Sequence, residues 1–184
     1  MRASCYFGEC GQGLRGLIRA VFFDLGDTLV AEESVRGKHL WEVTLQKLPY
    51  LDEVLTELKN RGYKLGVITN TVTSREEHVR MALRKIDVEK YFDVIVTSVD
   101  VGYEKPDERI FVTALRVVRV KPKEAIMLGN RISTDIVGGN RIGMKTILLK
   151  WNRRYPEKIT SLEEQPTRII KSLKDLPKVL AENY

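Results

Sequence analysis

The chain has 184 residues, of which 43% are hydrophobic and 30% charged, a length and composition that suit one packed domain and exclude disordered and fibrous classes. Lysine and arginine outnumber aspartate and glutamate by 31 to 25, a net charge of +6 that favours anionic ligands without singling out nucleic acid. No apolar run approaches the ~20 residues that cross a bilayer. The two cysteines, Cys5 and Cys10, with no His or Cys cluster beside them, exclude a disulfide framework and a zinc site and leave a reducing cytoplasm as the expected compartment.

Residues 1–16 are glycine-rich and lack both the alternating and the helical apolar period, so a poorly packed, flexible arm is expected before a domain over 17–184. The run Gly11-Gln12-Gly13-Leu14-Arg15-Gly16 spells a dinucleotide-binding fingerprint, but that motif works only after a strand and at the start of a helix. Here it precedes a strand, so the nucleotide reading is set aside.

From residue 19 the sequence alternates short apolar, β-branched runs with longer amphipathic stretches. Strands are expected over 19–24, 64–69, 94–97, 125–128, 145–149 and 168–171, and their lack of polar alternation suits a sheet covered on both faces. Helices are expected over 51–60, where Leu51, Val54, Leu55 and Leu58 share a face and Gly62 follows as a cap, and over 74–86, 107–118, 133–142 and 173–182. This order predicts an α/β fold, a parallel sheet with helices on both faces, which binds ligands at the carboxyl ends of its strands.

Those ends carry polar residues with chemical potential. The first strand runs Val21-Phe22-Phe23-Asp24-Leu25-Gly26-Asp27, delivering the Asp24 carboxylate to the sheet edge, where it can be a nucleophile or a turn former. The second ends in Thr69-Asn70, a hydroxyl and an amide that could equally cap the next helix. Lys105 precedes Pro106, and the fourth strand ends in Gly129-Asn130, with Asp135 five residues beyond. Each is weak alone. From residue 141 to 158 six basic residues face one acid, Glu157, which reads as a solvated edge or a phosphate-contacting surface.

The order and placement of these residues resemble the four-motif pattern of the haloacid dehalogenase-like (HAD) hydrolase superfamily, over about residues 18–182. The resemblance extends to the phrases 58–64 and 134–144. It implies a three-layer Rossmann-like fold and a Mg²⁺-dependent phosphatase in which Asp24 attacks phosphorus to form an aspartyl-phosphate. By the same resemblance Thr69 and Asn70 bind the phosphoryl group, Lys105 neutralises charge on it, and Mg²⁺ is held by Asp24, the Gly26 carbonyl and Asn130. Asp135 enters as a further metal residue or as the group orienting Lys105.

The sequence departs from that pattern twice. The usual general acid, two residues after the nucleophile, is here Gly26. Three readings stay open: Asp27 reaches the leaving group, a good leaving group or another residue replaces the acid, or catalysis is degenerate. The usual motif-four aspartate is Asn130, which keeps an oxygen donor but removes one negative charge, so weaker Mg²⁺ binding is expected. The twenty or so residues after Leu29 leave no room for the large helical cap of many relatives. An uncapped site implies a phosphorylated macromolecule or small molecule as substrate, or a homo-oligomer that closes it. Nucleic acid enters only through the basic edge, and no membrane partner is expected. The alternative function is a weakened HAD domain that binds a phosphorylated ligand or a partner protein. His39 and His78 read as packing or surface residues ahead of proton donors, and Trp151 as buried ahead of stacking on a ligand.

Overall fold

The computed structural model describes residues 17–34, 39–155 and 158–183; the expected N-terminal arm lies outside them. Six strands form one parallel sheet: β1 (Ala20–Phe23), β2 (Lys64–Thr69), β3 (Val94–Thr97), β4 (Ala125–Gly129), β5 (Lys145–Leu149) and β6 (Arg168–Ile170), in the spatial order β3-β2-β1-β4-β5-β6. The helices are α1 (Leu51–Asn60), α2 (Glu76–Lys85), a single turn α3 (Ser98–Val101), α4 (Glu108–Val118), α5 (Val137–Arg141) and α6 (Leu176–Asn183). The expected helix over 133–142 is divided, a π-turn over Ile132–Ile136 leading into α5.

Strand alternation divides most of the core between the two faces of the sheet, with a small third cluster of Ile132, Ile136 and Leu148. Val21 and Phe23 join α1, α2 and α6 through Leu55, Leu58, Leu83 and Leu180 on one face. Ala20 and Phe22 join α4 through Ile110, Phe111 and Leu115 on the other. All of these side chains are buried, which explains why the strands read as unbroken apolar runs. Gly62 ends the first helix at φ +83°, as a left-handed cap requires.

Register fixes where the chemistry lies. Phe23 pairs with Val67 of β2 and Leu128 of β4, so Asp24, Thr69 and Asn130 leave neighbouring strands at one edge. Chain order reverses between β1 and β4, the switch point at which such sheets open a crevice. Between Val30 and Leu51 the described residues form only two single 3₁₀ turns, at Glu32–Ser34 and Leu40–Glu42.

Candidate active site at the carboxyl edge of the sheet

A cleft of about 570 Å³ opens over the switch point, with Asp24, Thr69, Lys105 and Asn130 among its lining residues. The strands deliver the first, second and fourth of these. Lys105 comes from the loop before α4, which Asp107 caps by accepting from the Arg109 N–H.

The Lys105 ammonium is 2% exposed and donates to Asp24 Oδ1, Asp135 Oδ1 and the Ile68 carbonyl, each at 2.7 Å. Its three protons are therefore all placed. Burial alone would push this ammonium down, but Asp135 and Asp24 outweigh it and hold it above its ordinary value. Burial raises the Asp24 carboxyl from 3.8 to about 6 although Lys105 opposes the shift.

Asn70 lines the cleft, but its amide is committed to the backbone of Lys105. Oδ1 accepts from the Lys105 N–H at 2.8 Å and Nδ2 donates to the Lys105 carbonyl at 3.1 Å. The amide of this expected phosphate-binding residue thus clamps the backbone that presents Lys105. Asp135 is likewise removed from a metal-binding position. It is 1% exposed and does not line the cleft, and its carboxylate accepts from Lys105 through Oδ1 and from the Arg131 N–H through Oδ2 at 3.1 Å. Of its two expected roles the structure supports the orientation of Lys105.

Asp27 does not reach the leaving-group side. It takes a left-handed conformation at φ 52°, which Asp tolerates better than most residues, and this turns its side chain into the fold. There it is fully buried and accepts from the Glu32 N–H at 2.9 Å. Asp27 Oδ2 lies 3.2 Å from Arg154 Nε, an ion pair whose angles are not those of a hydrogen bond. Trp151 locks the same turn by donating Nε1–H to the Asp27 carbonyl at 2.7 Å; at 40% exposure it is neither core nor a free stacking surface.

The space left by Gly26 borders Glu32. A Cβ added at Gly26 would lie 3.6 Å from Glu32 Cγ and 4.0 Å from its Oε2. Glu32 lines the cleft and accepts from the Tyr155 hydroxyl at 2.6 Å. Burial and this hydrogen bond push the Tyr155 phenol up to about 12. Neither residue carries a local sequence signal for the site, since the contact spans 123 positions.

Asn130 brings unsatisfied polar atoms to the cleft lining. It is 8% exposed, and its Oδ1 and Nδ2 are buried without a hydrogen-bond partner. Stranding both atoms costs of order 1–3 kcal/mol each. A hard cation beside the Asp24 carboxylate would satisfy the amide oxygen, so the donor set fits the group that the resemblance implies.

His39 stacks on Trp41 with ring centroids 4.3 Å apart and shares a hydrogen bond with Thr73 at the rim. His78 also packs against Trp41, with ring centroids 4.4 Å apart, and accepts from the Arg75 N–H. The basic edge is partly neutralised, Arg141 pairing with Glu163 and Arg154 with Asp27 and Glu33.

The chain belongs to the haloacid dehalogenase-like hydrolase family, whose model matches residues 21–149. Among curated proteins it is 35% identical over 133 residues to a glyceraldehyde 3-phosphate phosphatase of Methanothermobacter thermautotrophicus, covering 72% of this chain and 58% of that one. It is 34% identical over 132 residues to the pyrophosphatase PpaX of Bacillus mycoides, covering 70% and 57%. The chain thus spans a little over half the length of these relatives. The fold matches that of a HAD phosphatase from Thermococcus onnurineus, with a TM-score of 0.72, 24% identity, and coverage of 91% of this chain and 100% of that one. It also matches the HAD-hydrolase YfnB of Bacillus subtilis, bound to magnesium, with a TM-score of 0.72, 17% identity, and coverage of 89% and 99%. No helix among the described residues is long and apolar enough to cross a membrane.

Proposed function

We propose that this chain is a Mg²⁺-dependent phosphatase of the reducing cytoplasm that acts through an aspartyl-phosphate on Asp24. The observation that carries the reading is the Asp24–Lys105–Asp135 array, a carboxylate at the cleft floor held by a buried ammonium that a second carboxylate anchors from behind. Such an array presents an anionic oxygen beside fixed positive charge, as attack on an anionic phosphoryl group demands.

In the first step the Asp24 carboxylate attacks phosphorus and the bond to the leaving oxygen breaks, the leaving group taking the electron pair and departing as an anion that is protonated by solvent, while Thr69 hydrogen-bonds a phosphoryl oxygen through its hydroxyl and Lys105 offsets the charge. In the second, water attacks the phosphorus of the aspartyl-phosphate, which frees Asp24 and inorganic phosphate. Glu32, the carboxylate bordering the space at Gly26, accepts the proton of that water. Asp24, the Gly26 carbonyl and Asn130 would hold Mg²⁺, which when bound neutralises phosphoryl charge. The short segment between Val30 and Leu51 supports an uncapped cleft open to a phosphorylated small molecule or macromolecule, or closed by a second copy of the chain.

The missing acid at Gly26 and the missing charge at Asn130 favour a second reading, a weakened domain that holds a phosphorylated ligand. The test is phosphate release from a panel of phosphorylated metabolites by the wild type and Asp24→Asn, with Mg²⁺ and with chelator. Release that requires both Asp24 and Mg²⁺ is expected. Release that survives Asp24→Asn overturns the nucleophile, and binding without release supports the second reading.

A further inference from the structure

The mouth of the cleft carries a cation that the phosphoryl site does not use. Lys105 and Arg131 are the lysine and arginine side chains that line the cleft. Lys105 is buried and paired with two carboxylates. Arg131 is exposed, and among the described residues its guanidinium has no carboxylate partner. It lies instead over the Tyr155 ring, 4.7 Å from the centroid.

Both supports of that guanidinium are fixed. The Tyr155 hydroxyl donates to Glu32 Oε2 at 2.6 Å, and Arg154 flanks the same carboxylate oxygen at 3.5 Å, so the ring is tethered through Oε2 and the cation beside Glu32 is Arg154. The Arg131 N–H is held by the buried Asp135. A guanidinium laid over an aromatic face keeps its N–H edges directed outward in its own plane, the arrangement that grips a carboxylate or phosphate with two parallel hydrogen bonds. Arg131 directly follows Asn130, and one residue advances the chain by about 3.8 Å. Asp24, Asn130 and Arg131 line the same cleft, so an anion held there shares it with a phosphoryl group over Asp24.

Resting on the phosphatase reading, we propose that Arg131, seated on Tyr155, binds a second anionic group of the substrate. The preferred substrates are then phosphate anhydrides or esters that carry a further phosphate or carboxylate, ahead of those with a neutral remainder.

The test measures kcat/KM of the full chain with Mg²⁺ for inorganic pyrophosphate and for 2-phosphoglycolate, each divided by that for p-nitrophenyl phosphate. The two arms separate phosphate from carboxylate as the second anion. Arg131→Ala is expected to lower at least one ratio by about tenfold to a hundredfold, chiefly through KM, as loss of a charged hydrogen-bond pair would. Arg131→Lys restores only part, since it keeps the charge and loses the planar fork. Tyr155→Phe, which unties the ring from Glu32, falls between the wild type and Arg131→Ala. Ratios unchanged in Arg131→Ala, at an unchanged thermal midpoint, overturn the proposal while the phosphatase reading stands. If the wild type turns over none of the three compounds, the phosphatase reading fails, and calorimetric titration with pyrophosphate and with orthophosphate judges the subsite. A preference for pyrophosphate that Arg131→Ala erases upholds it, and equal affinities overturn it.

Discussion

Gly129, the last residue of β4, has no side chain because the carboxylate of Asp135 occupies the place where one would be: a Cβ built there would overlap that group. The contact lets Asp135 pass behind the strand end and meet Lys105 from the buried side. A residue that never touches the cleft thereby sets the position of the cation in its floor.

Asp135→Ala is expected to destabilise the protein by about 3–5 kcal/mol, because it leaves the buried Lys105 with one carboxylate in place of two. Gly129→Ala should act in the same direction by displacing that carboxylate. Urea unfolding of both variants checks the ordering, and a loss below 1 kcal/mol in Asp135→Ala contradicts the anchoring.

The raised Asp24 carboxyl gives stability a definite slope with pH. Its native value is about 6 against 3.8 for the free group, so between those values the native chain keeps a proton that the unfolded chain has released. The contribution is fully present below pH ~4 and lost as pH rises through 6. In metal-free protein the stability of Asp24→Asn relative to the wild type should therefore shift in the variant's favour by on the order of 2–3 kcal/mol between pH 4 and pH 7.5, on top of a pH-independent loss of the Lys105–Asp24 pair. Urea midpoints at pH 4, 5, 6 and 7.5 measure it, and a gap independent of pH rules the account out.

A Cβ at position 26 fits without overlap, since it meets Glu32 only at ordinary contact distance. Gly26→Asp is expected to raise turnover of alkyl phosphates tenfold or more, within the 10²–10⁴ that acid–base help commonly supplies. Glu32→Gln should lower turnover in the wild type and cost less in the Gly26→Asp background, a coupling that a double-mutant cycle reads directly. Additive effects would separate Glu32 from the reaction.

Asn130→Asp returns a negative charge to the stranded amide. Mg²⁺ affinity, followed by calorimetry without substrate, should rise about tenfold, because ligand charge governs binding of hard cations. An unchanged affinity places the cation away from residue 130.

Trp151→Phe removes the donor to the Asp27 carbonyl while keeping most of the ring. A loss of about 1 kcal/mol is expected, the usual worth of one such bond, readable as a lowered thermal midpoint.

The sequence by itself determined the α/β order, because strands buried on both faces must be apolar throughout, while helices such as Leu51–Asn60 show one apolar stripe and a glycine stop. It also set Asp24, Thr69 and Asn130 at strand ends, which share one edge in a parallel sheet, and the resemblance to the family's four motifs joined Lys105 to them. Tertiary structure alone decided what Asp27, Asn70 and Asp135 do, and it brought Glu32, Arg131 and Tyr155 together. A polar residue in a loop carries no mark of its partner. Asp27 is turned inward by one left-handed peptide unit, Asn70 is consumed by a backbone 35 positions away, and the Glu32–Tyr155 bond exists only because packing closes a long span of chain. Local pattern reports burial and period, whereas side-chain pairing across the fold depends on how the layers meet.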